Sequence, residues 1–161
     1  MQSNMTYHYV FVVRSILDTI HREVRRSWWR ETGGALVGYV SDDGALVATH
    51  ACGPGTKARR CLTSILVEGK YAQAFCDKMY RESDGRFDYV GDWHRHPAQS
   101  LRASALDEAA MRTIVASGSS PLSNPISLIY RRANEAFQVY TLGDDGHLHP
   151  TPSRIIDAIP S

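Results

Sequence analysis

The segment Asp92-Trp93-His94-Arg95-His96-Pro97, followed by a seven-residue gap from Pro97 to Ala103 and then by Ser104-Ala105-Leu106-Asp107, restricts the folding of this chain more than any other. Along a strand successive side chains alternate faces, so His94 and His96 point the same way, about 6 to 7 Å apart at Cα. Trp93 and Arg95 face the opposite side. Pro97 cannot donate to a sheet ladder, so the strand ends there. A helix opening near Ser104 then returns Asp107 to within reach of the two imidazoles. Two nitrogens and one oxygen make a donor set suited to zinc, with a fourth position left open. The chain must therefore run strand, loop and helix here, with the helix folded back on the strand end.

Elsewhere the apolar pattern switches between strand and helix. Tyr7 to Val13 is rich in β-branched and aromatic residues and reads as a strand, whereas Ile16, Ile20, Val24 and Trp28 recur every four residues, as on one helix face. Gly33 and Gly34 are expected to interrupt that helix. Ala35 to Val40 and Ala45 to Ala51 flank Ser41-Asp42-Asp43-Gly44, which suits a tight hairpin turn. Cys52 to Arg60, with its Gly, Pro and basic residues, reads as an exposed loop, and Leu62 to Val67 returns to strand. Tyr71, Ala74, Phe75, Met79 and Tyr80 place an amphipathic helix over Lys70 to Arg81, closed by Ser83-Asp84-Gly85.

Phe87 to Trp93 reads as a strand and Ser104 to Ser117 as a helix capped by Ser104. Pro125 to Tyr130 and Ala136 to Leu142 are strands, and the chain after Gly143 is expected to be a surface tail with room for one more short strand. Strands mixed with three helices and a hairpin predict an α/β domain built on a mixed sheet covered by helices, rather than a parallel doubly wound sheet. A length of 161 residues suits one compact domain.

Charge and cysteine content exclude several functions. Eighteen Lys and Arg stand against seventeen Asp and Glu, which lacks the broad basic field of a nucleic-acid-binding domain. Arg22, Arg25, Arg26 and Arg30 cluster locally and are expected to form a solvated helix face. Cys52, Cys61 and Cys76 are odd in number and contain no Cys-x-x-Cys pair, so neither a disulfide framework nor a zinc finger is indicated. No apolar run approaches the roughly 20 residues of a membrane span, and Met1 to Thr6 is too polar for a signal peptide. A reduced, cytoplasmic protein that binds neither nucleic acid nor membrane is the expectation.

A hydrolytic zinc site also needs a base, because lowering the pKa of water does not by itself remove the proton. Glu31, in Glu31-Thr32-Gly33-Gly34, is the candidate, since small neighbours let a chain approach another strand closely. Each part taken alone is unspecific: Ser-x-x-Asp before an apolar run is a plain capping box, and a lone His-x-His is scarcely more telling. His147-Leu148-His149-Pro150 repeats the histidine pattern, yet Ser153 and Asp157 fall at other offsets, so this copy reads as a surface strand end.

Taken together, Glu31, His94-x-His96-Pro97, the seven-residue gap and Ser104-x-x-Asp107 resemble the JAMM signature of the JAB/MPN metalloprotease family. Glu31-x-Gly33-Gly34-x-Leu36-x-Gly38 and Gly91-Asp92-Trp93-His94-x-His96-Pro97 are similar to its prokaryotic branch. The resemblance covers nearly the whole chain and implies a single JAB/MPN domain with a cytidine-deaminase-like α/β/α fold. It implies one zinc held by His94, His96 and Asp107, Glu31 as general base and later acid, and Ser104 as a hydrogen-bond donor to the oxyanion. It also implies hydrolysis of the bond after the C-terminal glycine of ubiquitin or a ubiquitin-like protein.

A stand-alone domain of this kind resembles the deconjugating peptidases of CBASS antiphage operons, in which activating and conjugating enzymes attach a cyclic-nucleotide synthase to targets. Relatives that trim sulfur-carrier proteins are the other implied substrate class. The family commonly has Ser or Thr where this chain has Arg95. Facing away from the metal as a surface residue, Arg95 is expected to form a structural ion pair rather than a substrate contact.

Two rivals belong to other classes. A catalytically silent scaffold has no chemical need for Glu31, His94, His96, Ser104 and Asp107 together. A nucleobase deaminase needs His-x-Glu with a later Pro-Cys-x-x-Cys, and this chain has no such cysteine pair.

Overall fold

Apolar residues spaced by two build the strands and those spaced by four build the helices in the computed structural model, which describes residues 7–26, 32–54, 70–96 and 99–161. Glu31, Trp28, Arg30, Cys61, Pro97, residues 55–60 of the expected loop and the strand expected over Leu62 to Val67 lie outside the described residues. In chain order come β1 (Val10–Val13), α1 (Arg14–Arg26), β2 (Thr32–Val40), β3 (Leu46–Ala51), α2 (Lys70–Glu82) and β4 (Asp88–Arg95). They are followed by α3 (Ala105–Ser117), β5 (Ile126–Arg131), β6 (Ala136–Leu142), β7 (Leu148–Thr151) and β8 (Ser153–Ile156).

The described strands form one mixed sheet in the order β7-β6-β5-β4-β2-β3-β1-β8. β4 and β5 are parallel, as are β1 and β3 and also β1 and β8, while the other neighbours are antiparallel. Alternation sorts the side chains into two layers. Leu36, Trp93 and Leu128 pack with Ile16, Ile20 and Val24 of α1. Ala35 and Val37 pack with Cys76 of α2, and Ile129 with Met111 of α3, on the opposite face. Helices thus cover both faces, α1 on one and α2 with α3 on the other. Complete burial of Ile16, Ile20 and Val24 contributes roughly 1.5–3 kcal/mol per side chain and fixes α1 against the sheet.

Gly33 and Gly34 do not act as helix breakers; they lie inside β2, opposite His94 and Trp93 of β4. A Cβ at Gly33 would sit 2.4 Å from the Trp93 carbonyl oxygen, and one at Gly34 2.0 Å from that of Cys52. Any larger residue would push β2 off its neighbours. Burial raises the thiols of Cys52 and Cys76, to about 11 and about 12, so both are neutral packing groups at physiological pH.

The segment after Gly143 contains two strands, where a surface tail with one short strand was expected. β7 pairs with β6 and β8 pairs with β1, at opposite ends of the ladder, yet Pro152 alone separates them. The sheet therefore curls until its two ends meet along one continuous segment. Val10 N–H donates to the Pro152 carbonyl at 2.9 Å, which fastens the seam. The reason the tail reading fails is that edge pairing, not local hydrophobicity, orders this stretch. No helix among the described residues is long and apolar enough to cross a membrane.

Removal of residues 147–161 leaves the ladders of β1 and β6 open at once. The truncated chain is expected to aggregate or to lose cooperative unfolding, as read by size-exclusion chromatography and calorimetry. A monomer with an unchanged melting temperature would contradict the seam.

Candidate metal centre

β4 and β5 are parallel neighbours, so the chain between them must cross over, and α3 is part of that crossover. A crossover helix starts where the preceding strand stops. The start of α3 is therefore brought back beside the carboxyl end of β4, the end at which open α/β sheets bind their ligands.

Ser104 caps α3 with an extended backbone, φ −97° and ψ 165°. Its hydroxyl accepts the Asp107 N–H at 3.2 Å, and Asp107 Oδ2 accepts the Ser104 N–H at 2.7 Å. This reciprocal capping box satisfies two N–H groups that the helix itself leaves unpaired. It also fixes the rotamer of Asp107, whose negative charge is favoured in the first helical turn.

Asp107 is thereby aimed at the two histidines. Its Oδ2 lies 2.9 Å from His96 Nε2 and its Oδ1 3.1 Å from His94 Nε2. The two imidazole Nε2 atoms face each other at 3.0 Å. The side chains are 8%, 12% and 1% exposed for His94, His96 and Asp107, so the three groups meet largely out of contact with bulk solvent. Burial alone would raise the Asp107 carboxyl; the facing imidazoles and the Ser104 N–H outweigh it and hold the group well below the usual carboxylate range.

These residues fit a metal ion. Asp107 Oδ1 is buried without a hydrogen bond despite its closeness to His94, a cost that native structures seldom carry without reason. One ligand atom from each residue falls within 4.8 Å of the others. Ligands about 2.0–2.2 Å from a tetrahedral zinc stand roughly 3.3–3.6 Å from one another, close to the separations seen here. Three protein ligands leave a fourth position for chemistry.

The structure thus brings together His94, His96, Ser104 and Asp107 as the sequence spacing anticipates, while Glu31 lies outside the described residues. Glu31 immediately precedes Thr32, whose ladder partner is Arg95, the residue between the two histidines. Arg95 departs from its expected surface position: it is 1% exposed, in register with Thr32 on one side and Tyr130 on the other. The sheet continues on both sides of β4, and a residue facing the α1 layer from a central strand has no route to solvent.

Asp92 received no role from the sequence. Alternation puts it on the same face as His94, two residues earlier, which is the signal that could have singled it out. Burial pushes its carboxyl up to about 7 against the lowering effect of the Tyr89 hydroxyl, which donates to Oδ2 at 2.9 Å.

The comparisons with known proteins point the same way as the geometry. The model of a family described as prokaryotic homologs of the JAB domain matches residues 13–142. A Sinorhizobium fredii (strain NBRC 101917 / NGR234) protein named "Probable metalloprotease y4qB" is 34% identical over 122 residues, 74% of each chain. A "CD-NTase/cGAS isopeptidase" of Escherichia coli (strain TW11681) is 32% identical over 77 residues, 48% of this chain and 49% of that one. The solution structure of protein DSY2949 from Desulfitobacterium hafniense shares the fold, with a TM-score of 0.66 at 15% identity over 93% of this chain and 94% of that one.

Two outcomes follow from this geometry. Zinc at 100 times its dissociation constant should stabilise the protein by about 2.7 kcal/mol, and His94→Ala should abolish both that shift and the bound metal, read by thermal melting and elemental analysis. Ser104→Ala should lower stability by about 1 kcal/mol through loss of the cap, measured by denaturant unfolding.

Proposed function

This chain belongs to the family of prokaryotic homologs of the JAB domain, and from that premise we propose that it is a zinc-dependent isopeptidase that cleaves after the C-terminal glycine of a ubiquitin-like protein. The observation that carries this reading is the convergence of His94, His96 and Asp107, with one buried carboxylate oxygen left without a hydrogen bond. The Escherichia coli relative's name, CD-NTase/cGAS isopeptidase, supports an isopeptide conjugate as substrate, in line with the conjugated cyclic-nucleotide synthase implied by the sequence resemblance.

In this reading zinc, when bound, supplies Lewis acidity and a lowered pKa for water at the site. Glu31 takes the proton of the attacking water as its oxygen bonds to the scissile carbonyl carbon. The same carboxyl then delivers that proton to the departing amine as the C–N bond breaks, leaving a free carboxylate and an amine.

Ser104 serves two purposes without conflict. Capping uses one acceptor lone pair of its hydroxyl, facing the Asp107 N–H. The O–H itself remains a donor, available to the oxyanion that develops on the carbonyl. His94 is held by the sheet ladder, His96 follows directly on the strand's last residue, and Asp107 is held by its capping box, so the donor set needs little reorganisation on binding.

The test is cleavage of a ubiquitin-like isopeptide conjugate by the zinc-loaded full chain. Glu31→Gln should retain metal and lose at least about 10²-fold in kcat. Ser104→Ala should lose about 10²–10³-fold in kcat, beyond anything its lost cap explains. Full activity of the Glu31 variant would sink the assigned base, and cleavage by metal-free His94→Ala would sink the whole reading.

A further inference from the structure

Between β4 and the cap of α3, Gln99 buries its side-chain oxygen Oε1 without a hydrogen-bond donor among the described residues. A bound metal accounts for the unpaired Oδ1 of Asp107. It does not account for Gln99, because zinc sites draw on Cys, His, Asp and Glu rather than on a carboxamide. Leaving an amide oxygen unpaired and out of water costs stability, and native structures seldom carry that cost without a use.

The backbone of Gln99 is strained as well. Its φ is 56°, in the left-handed region that residues with a Cβ seldom adopt. Asp84 and Glu135 share this conformation, but each lies just past a helical C-terminus, where it is a common way to stop a helix. Gln99 ends no helix. It closes a turn on the second histidine, its N–H donating to the His96 carbonyl at 3.2 Å. Farther on, the Leu101 carbonyl accepts the Tyr140 hydroxyl at 2.6 Å, and Leu101 and Ala103 pack with Met111 and Tyr140. The loop is thus tied on both sides of Gln99, which holds the residue in a conformation it would not choose alone. Backbone strain of this kind clusters at active sites and ligand clamps.

We propose that Gln99 is a substrate-binding residue whose side-chain oxygen accepts a main-chain N–H of the substrate tail beside the scissile bond. The tail of the proposed substrate ends in glycine, which has no side chain to be read, so its N–H and C=O groups are the handles it offers. A carboxamide oxygen suits an amide N–H, and the soft terminal torsion of glutamine lets that oxygen turn to the donor while the tied backbone stays still. Gln99 lies three residues past one metal ligand and five before Ser104, on the loop that joins the two halves of the donor set. This assignment rests on the peptidase reading above and adds a residue that aligns its substrate.

The zinc-loaded full chain would be assayed on glycine-ending peptidyl-amidomethylcoumarins in which an ester oxygen replaces the N–H of each of the last three residues in turn. At one position the ester should lower kcat/KM about tenfold, the worth of one hydrogen bond. Gln99→Met should lower the all-amide substrate by about the same factor and bring amide and ester to within about twofold of each other. Gln99→Gly, which fits the left-handed backbone and lacks the carboxamide, should do the same and guards against misfolding of the first variant. Gln99→Met should also keep its zinc and melt about 2–4 °C higher, because no buried oxygen is left unpaired there.

In parallel, calorimetry would follow binding of the same peptides to zinc-loaded Glu31→Gln. The amide should bind about tenfold more tightly than the ester, and adding Gln99→Met should erase the difference. An ester without effect at all three positions, an amide preference that survives Gln99→Met, or a Gln99→Met chain that melts below its parent would overturn the assignment and leave the peptidase intact. Gln99-dependent binding without cleavage of any peptide would do the reverse, supporting the assignment and counting against the peptidase.

Discussion

The reciprocal hydrogen bonds between Ser104 and Asp107 hold the candidate site together. They end the loop after β4, start α3 and set the Asp107 carboxylate in a single orientation. Without them the carboxylate would have the rotamer freedom of any aspartate in a first helical turn, and the two histidines would face each other without an anion between them. The capping box is worth only about 1 kcal/mol as a helix device. Its larger effect is positional, because Asp107 Oδ2, which completes the cap, also faces His96 in the donor set.

That arrangement depends in turn on the sheet. β4 can hold His94 in fixed register and deliver His96 just past its end because it is a central strand, paired to β2 on one side and β5 on the other. The close approach to β2 is permitted by Gly33 and Gly34, whose absent side chains leave room for backbone carbonyls. Arg95 fits the same logic. A buried cation between two metal-ligand positions is costly in general, and here it occupies the face of β4 opposite the histidines, where it is nearly inaccessible to solvent.

Much of this was legible in the sequence. Four-residue spacing located α1, an amphipathic pattern located α2 and the Ser104 cap located α3, the Ser-Asp-Asp-Gly turn located the β2–β3 hairpin, and the His-x-His and Ser-x-x-Asp spacings located the site. These are local patterns, fixed by the period of one element or the reach of one turn. What escaped was set by partners far away in the chain. The glycine pair resembled a helix stop until β4 was laid beside it, Arg95 resembled a surface residue until both neighbouring strands were in place, and residues 148–156 resembled a tail until their two edges were identified. Asp92 shows the same limit, since its face was readable but the small residues of β2 and α2 that hollow out a cavity around it were not.

The seam at Pro152 bears on how such a chain comes to be folded at all. β1 lies near the start of the described chain and β8 near its end, so the pairing of Val10 with Ser153 waits until everything between them has been made. Contacts of such long sequence separation slow folding, and synthesis from the N-terminus delivers them last. During translation β1 can pair with β3 on one side, but its other edge stays bare until β8 has emerged from the ribosome. The metal ligands, by contrast, all emerge well before it. The nascent chain therefore assembles its chemistry earlier than its closure, and the edge of β1 stays open to other strands until β8 covers it.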